Sequence, residues 1–225
     1  MIDNIQKLYL LNICVNIYLN SSYFNILMMN NYLYINRNSL DPELCDEIIH
    51  KFELEVENEN TRPGVTYAGF NKDIKDTTDF NIEFAEDHYK WNKIHECLKN
   101  ELTYNLKKYA ETLDSNYKHN NYHVFPKEMF FKTFQIQKYI KNIGKFTYHN
   151  DASIEENCNY RVLTYIWYLN DVLQGGETEI CKDEKIKPQI GKLLLFPASW
   201  MYPHCGKMPI SNNKYIITGW IYSAS

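Results

Sequence analysis

The sequence has no excess of basic residues, no CxxC pair, no internal repeat and no uninterrupted apolar segment of membrane-spanning length. Each absence removes a class of function. The 24 Lys and Arg are outnumbered by 28 Asp and Glu, a formal net charge of −4. No strongly basic face is therefore expected, and a nucleic acid held through its phosphates is disfavoured as substrate or partner. The six cysteines, Cys14, Cys45, Cys97, Cys158, Cys181 and Cys205, lack zinc-finger spacing. They are expected to be free thiols in a reducing, cytoplasmic setting. The apolar run 8–19 is broken by Asn12 and Asn16 and falls short of the ~20 residues a spanning helix needs, so no membrane association is expected. A secretory leader matches poorly, because Asp3 offsets Lys7 and no alanine precedes Ala68. Only Ser21 and Ser22 keep that alternative open.

A chain of 225 residues with 44% hydrophobic content can bury one sizeable core. Residues 1–38 read as an N-terminal extension and a first strand near 32–35, with Met28 or Met29 as an alternative start. Residues 39–225 read as one domain. Its first helix begins at 39–42, where Pro42 suits the opening turn and Asp41 or Ser39 the cap. Leu40, Leu44, Ile48 and Phe52 then recur every four residues. Residues 54–83 carry turn formers and mixed charge, which predicts a long loop with at most one strand, either a lid beside a binding site or a plain solvated loop. A long helix is predicted over 83–113 from Trp91, Ile94, Leu98, Leu102, Leu106, Tyr109 and Leu113. His50, His88, His95, His119 and His123 carry no ligand pattern.

Beyond Phe125 the pattern is that of strands. Over 129–139, Phe131, Thr133, Gln135, Gln137 and Tyr139 alternate with Phe130, Lys132, Phe134, Ile136 and Lys138, so neither face is purely apolar. A barrel interior that binds something polar tolerates inward Gln and Tyr, whereas a plain sandwich core does not. Further strands are predicted at 161–169, 176–181, 189–196 and 214–222.

The chemistry concentrates at His149 and Asp151. Two residues apart in a strand point the same way, so an imidazole and a carboxylate are expected side by side. His204, arriving from a distant strand, completes two histidines and one carboxylate, the set that binds non-haem Fe(II) and leaves positions open. By itself a His-x-Asp is better explained as a turn aspartate beside a partly buried, hydrogen-bonded histidine.

The company of these residues decides between the two. Tyr139 precedes the pair, and Arg161 to Asn170, Gly175 to Ile180 and Gly191 to Pro197 lie between the histidines. Lys214 follows His204 by ten residues, and Trp220 closes the series. This ordered set resembles the prolyl 4-hydroxylase-like family of Fe(II)- and 2-oxoglutarate-dependent dioxygenases, from about Ser39 onward and most densely from Tyr139 to Trp220. The resemblance implies an α+β, mainly β fold, with a double-stranded β-helix (jelly-roll) core and two N-terminal supporting helices. It implies Fe(II) held by His149, Asp151 and His204, with 2-oxoglutarate and O2 as co-substrates and ascorbate as a further ligand. It places Lys214 against the far carboxylate of 2-oxoglutarate and Tyr139 as its hydrogen-bond partner, one residue farther from His149 than the family pattern. Thr164 and Thr178 are pocket candidates or cross-strand pairs. Arg161, Trp200 and Tyr202 stand as substrate-side residues or rim packing. The implied reaction hydroxylates a peptidyl, prolyl-type, or free amino-acid side chain and releases succinate and CO2. Alternatives from other classes are a nucleic-acid demethylase of the same superfamily, a non-catalytic ligand-binding jelly roll, and a cupin-like metalloenzyme that does not use 2-oxoglutarate. Oligomeric state is not readable from the sequence.

Overall fold

The fold was taken from a computed structural model that describes residues 32–84, 88–116, 123–154 and 159–223. The N-terminal expectations for residues 1–31, and those for Cys14, His119 and Cys158, lie outside the described residues. Residues Tyr34 onward form one compact unit.

The chain opens with β1 (Tyr34–Asn36) and α1 (Pro42–Glu57). Asp41 is the cap: its carboxylate accepts the Glu43 amide at 2.8 Å, and Pro42 occupies the first turn. Cys45, Ile48 and Phe52 are the side chains of α1 that are wholly buried. Residues 54–83 are more ordered than their composition predicts. The helix runs on to Glu57, and three short strands follow: β2 (Arg62–Pro63), β3 (Lys75–Asp76) and β4 (Thr78–Asn81). Their order comes from pairing with distant strands, which local composition does not report.

The second helix starts later than its periodicity predicts. Two 3₁₀ turns, Ile82–Phe84 and His88–Trp91, precede α2 (Asn92–Asn116). In this region the Glu83 carboxylate accepts the Phe134 amide at 2.9 Å and lies 3.2 Å from His95 Nε2, so it serves the sheet. Along α2 the stripe Ile94, Leu98, Leu102, Tyr109 and Leu113 is buried as the spacing predicts. Asn105, 0% exposed, holds the place in that stripe expected for Leu106. Its amide donates to Ser39 and to Glu101.

The remaining strands are β5 (Phe130–Phe131), β6 (Gln135–Tyr139), β7 (Lys145–His149), β8 (Tyr160–Tyr168), β9 (Thr178–Ile180), β10 (Glu184–Ile186), β11 (Leu193–Pro197), β12 (His204–Gly206) and β13 (Lys214–Ser223). The predicted strand over 129–139 is broken between β5 and β6. There the Phe134 amide turns to Glu83, and the Thr133 carbonyl accepts the Tyr165 hydroxyl at 2.7 Å. Gly219 makes room for that hydroxyl: a Cβ there would sit 2.2 Å from it.

Every pairing is antiparallel. The major sheet runs β1-β11-β8-β13-β6-β4-β2, with β5 also on β13, and the minor sheet runs β10-β9-β12-β7-β3. Two antiparallel sheets with two early helices make the mainly β jelly roll that the family resemblance implies. The helices cover the outer face of the major sheet: Phe52 meets Tyr215 edge-on, and the Trp167 indole donates to Ser39. Along β13, Tyr215 and Ile217 take that outer side, so Lys214, Ile216, Thr218 and Trp220 point inward by strand alternation and line a cavity between the sheets. Across from them Gln135, Gln137 and Tyr139 line the same cavity while Phe134 and Ile136 are fully buried beneath the helices. Among the described residues no helix is long and apolar enough to cross a membrane, and Cys45, Cys97, Cys181 and Cys205 are free thiols.

Candidate active site

His149 ends β7 and His204 begins β12, and the two face each other as Cα partners in the minor sheet. Asp151 lies two residues past the end of β7. The strand geometry expected to carry both His149 and Asp151 therefore stops at His149, and Asp151 reaches the site from the turn. A tie across the cavity holds it there. Thr164, on β8 of the major sheet, donates to Asp151 Oδ2 at 2.6 Å.

The Asp151 carboxylate lies 3.8 Å from His149 Nε2 and 3.4 Å from His204 Nε2. One donor atom from each of the three side chains falls within 4.8 Å of the others, a group that can hold a metal ion. Both rings are oriented from behind. His149 Nδ1–H donates to the Thr147 carbonyl at 2.8 Å, and His204 Nδ1–H to the Tyr202 carbonyl at 3.0 Å. With that nitrogen protonated, each Nε2 keeps its lone pair toward Asp151. Burial, then the neighbouring His204, pushes His149 down to about 4. Burial alone raises the Asp151 carboxyl, but the adjoining His204 and His149 and the Thr164 hydroxyl outweigh it and hold it below the usual range. The site presents two imidazole nitrogens and one carboxylate oxygen as donor atoms close to one another.

Lys214 lines the same cavity of about 660 Å³ and is 1% exposed. Its ammonium lies 4.6 Å from the Tyr139 ring centroid and 5.8 Å from that of Tyr168. Among the described residues no carboxylate comes within ion-pair distance of it. Burial pushes it down to about 7, against the smaller opposing effect of the Glu177 charge. A buried cation left without its anion is costly unless something else supplies one. The Tyr139 hydroxyl donates to Gln137 at 3.1 Å, and that of Tyr168 to Thr178 at 2.7 Å. The structure thus brings Tyr139, Thr178 and Lys214 to one part of the cavity and sets Thr164 against Asp151. Gly206 keeps this part open, since a Cβ there would stand 3.1 Å from the Tyr139 ring.

At the mouth, Arg161 stacks on Trp220 with its guanidinium carbon 3.6 Å from the ring centroid, and Val65, Tyr67 and Ala68 of the loop after β2 form part of the wall. Trp200 is 74% exposed and lies outside the cavity lining. Tyr202 is buried and acts through its carbonyl on His204. His50 is exposed, His95 stands with Glu83 and His123 with Asp114, all away from the triad. Sequence reasoning missed Lys75 and Phe146 in the lining. Trp220, named from the sequence only as the end of its motif series, shares the inward face of β13 with Lys214.

Cys205 follows His204 but belongs to the other face of β12, where its thiol is set among Lys207, Glu179 and Tyr148 and burial pushes it up. It stands outside the group of donor atoms. Cys205→Ala is expected to retain full metal binding in a Co(II) titration; loss of metal with an unchanged circular dichroism spectrum would make the thiol a ligand.

Residues 134–222 match the 2OG-Fe(II) oxygenase superfamily model. No curated protein matches the chain. Among solved structures, a viral collagen prolyl hydroxylase from Paramecium Bursaria Chlorella virus-1, in complex with 2OG, is similar at 20% identity and a TM-score of 0.57, over 86% of this chain and 97% of that one. A Pseudomonas putida prolyl-4-hydroxylase is similar at 15% identity and 0.57, over 85% and 93%. A Trichoplax adhaerens prolyl hydroxylase, solved with a hypoxia inducible factor oxygen degradation domain peptide fragment, is similar at 20% identity and 0.62, over 85% and 84%. These likenesses carry the fold. The donor set of two imidazoles and a carboxylate fits Fe(II), and the unpaired Lys214 fits a dicarboxylate. Residues 134–222 carry the match to the 2OG-Fe(II) oxygenase superfamily, and the chain has the fold of the prolyl 4-hydroxylases.

Proposed function

We propose that the protein hydroxylates a peptidyl, prolyl-type, or free amino-acid side chain and releases succinate and CO2. His149, Asp151 and His204 hold Fe(II), and Lys214, with Tyr139, Thr178 and Tyr168 around it, receives the far carboxylate of 2-oxoglutarate. The observation that carries this reading is the fully buried Lys214 ammonium, with no anion beside it among the described residues, in the same cavity as the triad. Bound there, Fe(II) with 2-oxoglutarate and dioxygen supplies the oxidising chemistry.

The protein's own side chains prepare the site. The Thr147 and Tyr202 carbonyls each accept from an imidazole Nδ1 and so turn both Nε2 atoms toward the metal position. Thr164 pins one Asp151 oxygen and limits how the carboxylate can turn. Lys214 and the tyrosine rings anchor the co-substrate at one end, which orients its other end toward the metal ligands. Ile166, Ile216 and Thr218 wall the cavity and exclude water around the reacting groups. At the mouth, Arg161 and Trp220 offer a cation and an indole to a substrate, and Val65 and Tyr67 offer apolar contact. The peptide-bound Trichoplax relative supports a peptide substrate, and the chain's net charge of −4 supports one without phosphates.

The test is succinate formation with a panel of prolyl peptides, other peptides and free amino acids, followed by mass spectrometry of the products. A mass increase of one oxygen on a peptide or amino acid is expected. Succinate formation that responds to none of the panel, but to a methylated nucleic acid or a small metabolite, overturns the substrate class.

Co-substrate binding is also expected to depend on pH. Burial pushes Lys214 down to about 7, and only its charged form pairs with a carboxylate. Affinity for 2-oxoglutarate is therefore full below pH 7 and falls as pH rises through it, approaching about tenfold per unit. Titration of 2-oxoglutarate into the anaerobic Fe(II) protein between pH 6 and 9 checks this; a flat profile contradicts it.

A further inference from the structure

Lys75 and Asp79 are 4% and 1% exposed, and neither belongs to the metal or co-substrate set above. Lys75 Nζ donates to Asp79 Oδ2 at 2.7 Å, and the Thr77 hydroxyl donates to Asp79 Oδ1 at 2.7 Å. The pair spans the two sheets. Lys75 is on β3, the two-residue edge strand of the minor sheet, and Asp79 is on β4 of the major sheet. Gly64 roofs it so closely that a Cβ there would fall 2.1 Å from Thr77 Oγ1 and 2.9 Å from Lys75 Cε.

A buried ion pair seldom stabilises a fold more than well-packed apolar side chains of the same size, so its presence calls for a role in specifying position. Here each end touches one part of the site. The Lys75 ammonium lies 5.3 Å from the Phe146 ring centroid, and Phe146 stacks on His149 at 3.6 Å between centroids and 15° between planes. Beside it, the Ile74 carbonyl accepts the Thr147 amide at 2.8 Å, and the Thr147 carbonyl in turn orients His149 Nδ1. Both supports of the His149 ring therefore hang on β3, whose two ladder pairs with β7 are few. At the other end Asp79 faces Gln137 across the β4–β6 ladder, and Gln137 accepts the Tyr139 hydroxyl.

We propose that the Lys75–Asp79 pair is a positioning device: it clamps β3 to β4 so that Phe146 and Thr147 hold the His149 imidazole in its metal-binding orientation. The inference rests on the assignment of His149 as a metal ligand. Lys75 and Asp79 stand outside the group of metal-donor atoms and act on it through Phe146 and the Thr147 peptide.

The test is a Co(II) titration of the metal-free protein, followed by the visible d–d absorption of the bound ion, with thermal unfolding of each metal-free variant as the fold control. In Lys75→Met/Asp79→Leu an apolar pair replaces the ion pair, so no charge is stranded and the metal-free fold survives. Co(II) affinity is expected to fall about 10- to 100-fold, the usual effect of losing a support behind a metal ligand, and the absorption band to change shape. Phe146→Leu cuts the relay while leaving the ion pair in place and is expected to weaken Co(II) in the same direction. It decides the matter if the double variant does not fold. Unchanged Co(II) affinity and band shape in a folded double variant, or in Phe146→Leu, overturns the proposal while wild-type binding keeps the ligand assignment. A wild-type protein that binds no Co(II) overturns that assignment, and this inference with it.

Discussion

In Lys214→Ala the apparent affinity for 2-oxoglutarate is expected to drop about 30-fold or more, while Fe(II) binding stays as it was. Removing one partner of a desolvated charge pair typically costs about 2–5 kcal/mol, and about 1.4 kcal/mol corresponds to a factor of ten. Lys214 is 1% exposed and no other cation of the described residues shares its place between Tyr139 and Tyr168, so nothing substitutes for it. The empty protein is not expected to suffer from the lost charge. Between about pH 7 and 10.5 the unfolded chain holds a proton at this lysine that the folded chain gives up, so stability rises with pH across that window. The charge is thus a burden on the empty fold that a bound carboxylate relieves. Lys214→Arg is expected to fall between, because the charge survives but a longer planar fork must fit between two rings. The measurement is 2-oxoglutarate titration of the anaerobic Fe(II) protein, read from its metal-to-ligand absorption band. An unchanged curve for Lys214→Ala would place the co-substrate cation elsewhere.

Asp151→Ala is expected to abolish metal retention and turnover together. It removes the sole carboxylate of the triad and leaves the Thr164 hydroxyl, now without its 2.6 Å acceptor, inside the cavity. Asp151→Glu is expected to be badly impaired as well. The carboxylate is 7% exposed and held between Thr164 and two imidazoles, so one extra methylene pushes it past the few tenths of an ångström that a metal bond tolerates. Metal content after gel filtration and succinate formation are the two readouts, with circular dichroism as the fold control. Full turnover in Asp151→Ala removes Asp151 from the metal site.

The elements that local pattern defines were legible before the structure. A capped helix start at Asp41 or Ser39, the stripe of α2 from Ile94 to Leu113 and a strand over 214–222 follow from period and capping alone. The breaks in those patterns were not legible. Glu83 delays α2 and splits β5 from β6 because its carboxylate meets an amide 51 residues away. Asn105 displaces Leu106 from the stripe because Ser39 and Glu101 are there to satisfy it. Strands β2, β3, β4, β10 and β12 are too short to show a period and exist through their partners.

By itself the sequence determined which chemistry was available. Two histidines and one aspartate offered a donor set, the family resemblance added Lys214 as its cation, and strand alternation set which side chains share a face. Tertiary structure alone decided how those groups meet. It put Asp151 beyond its strand and tied it to Thr164, left Lys214 without an anion, and joined Lys75 to Asp79 behind His149. The physical reason is that alternation and capping act between near neighbours, whereas burial, desolvation and cross-sheet hydrogen bonds depend on residues far apart in the chain. No local pattern encodes those distances.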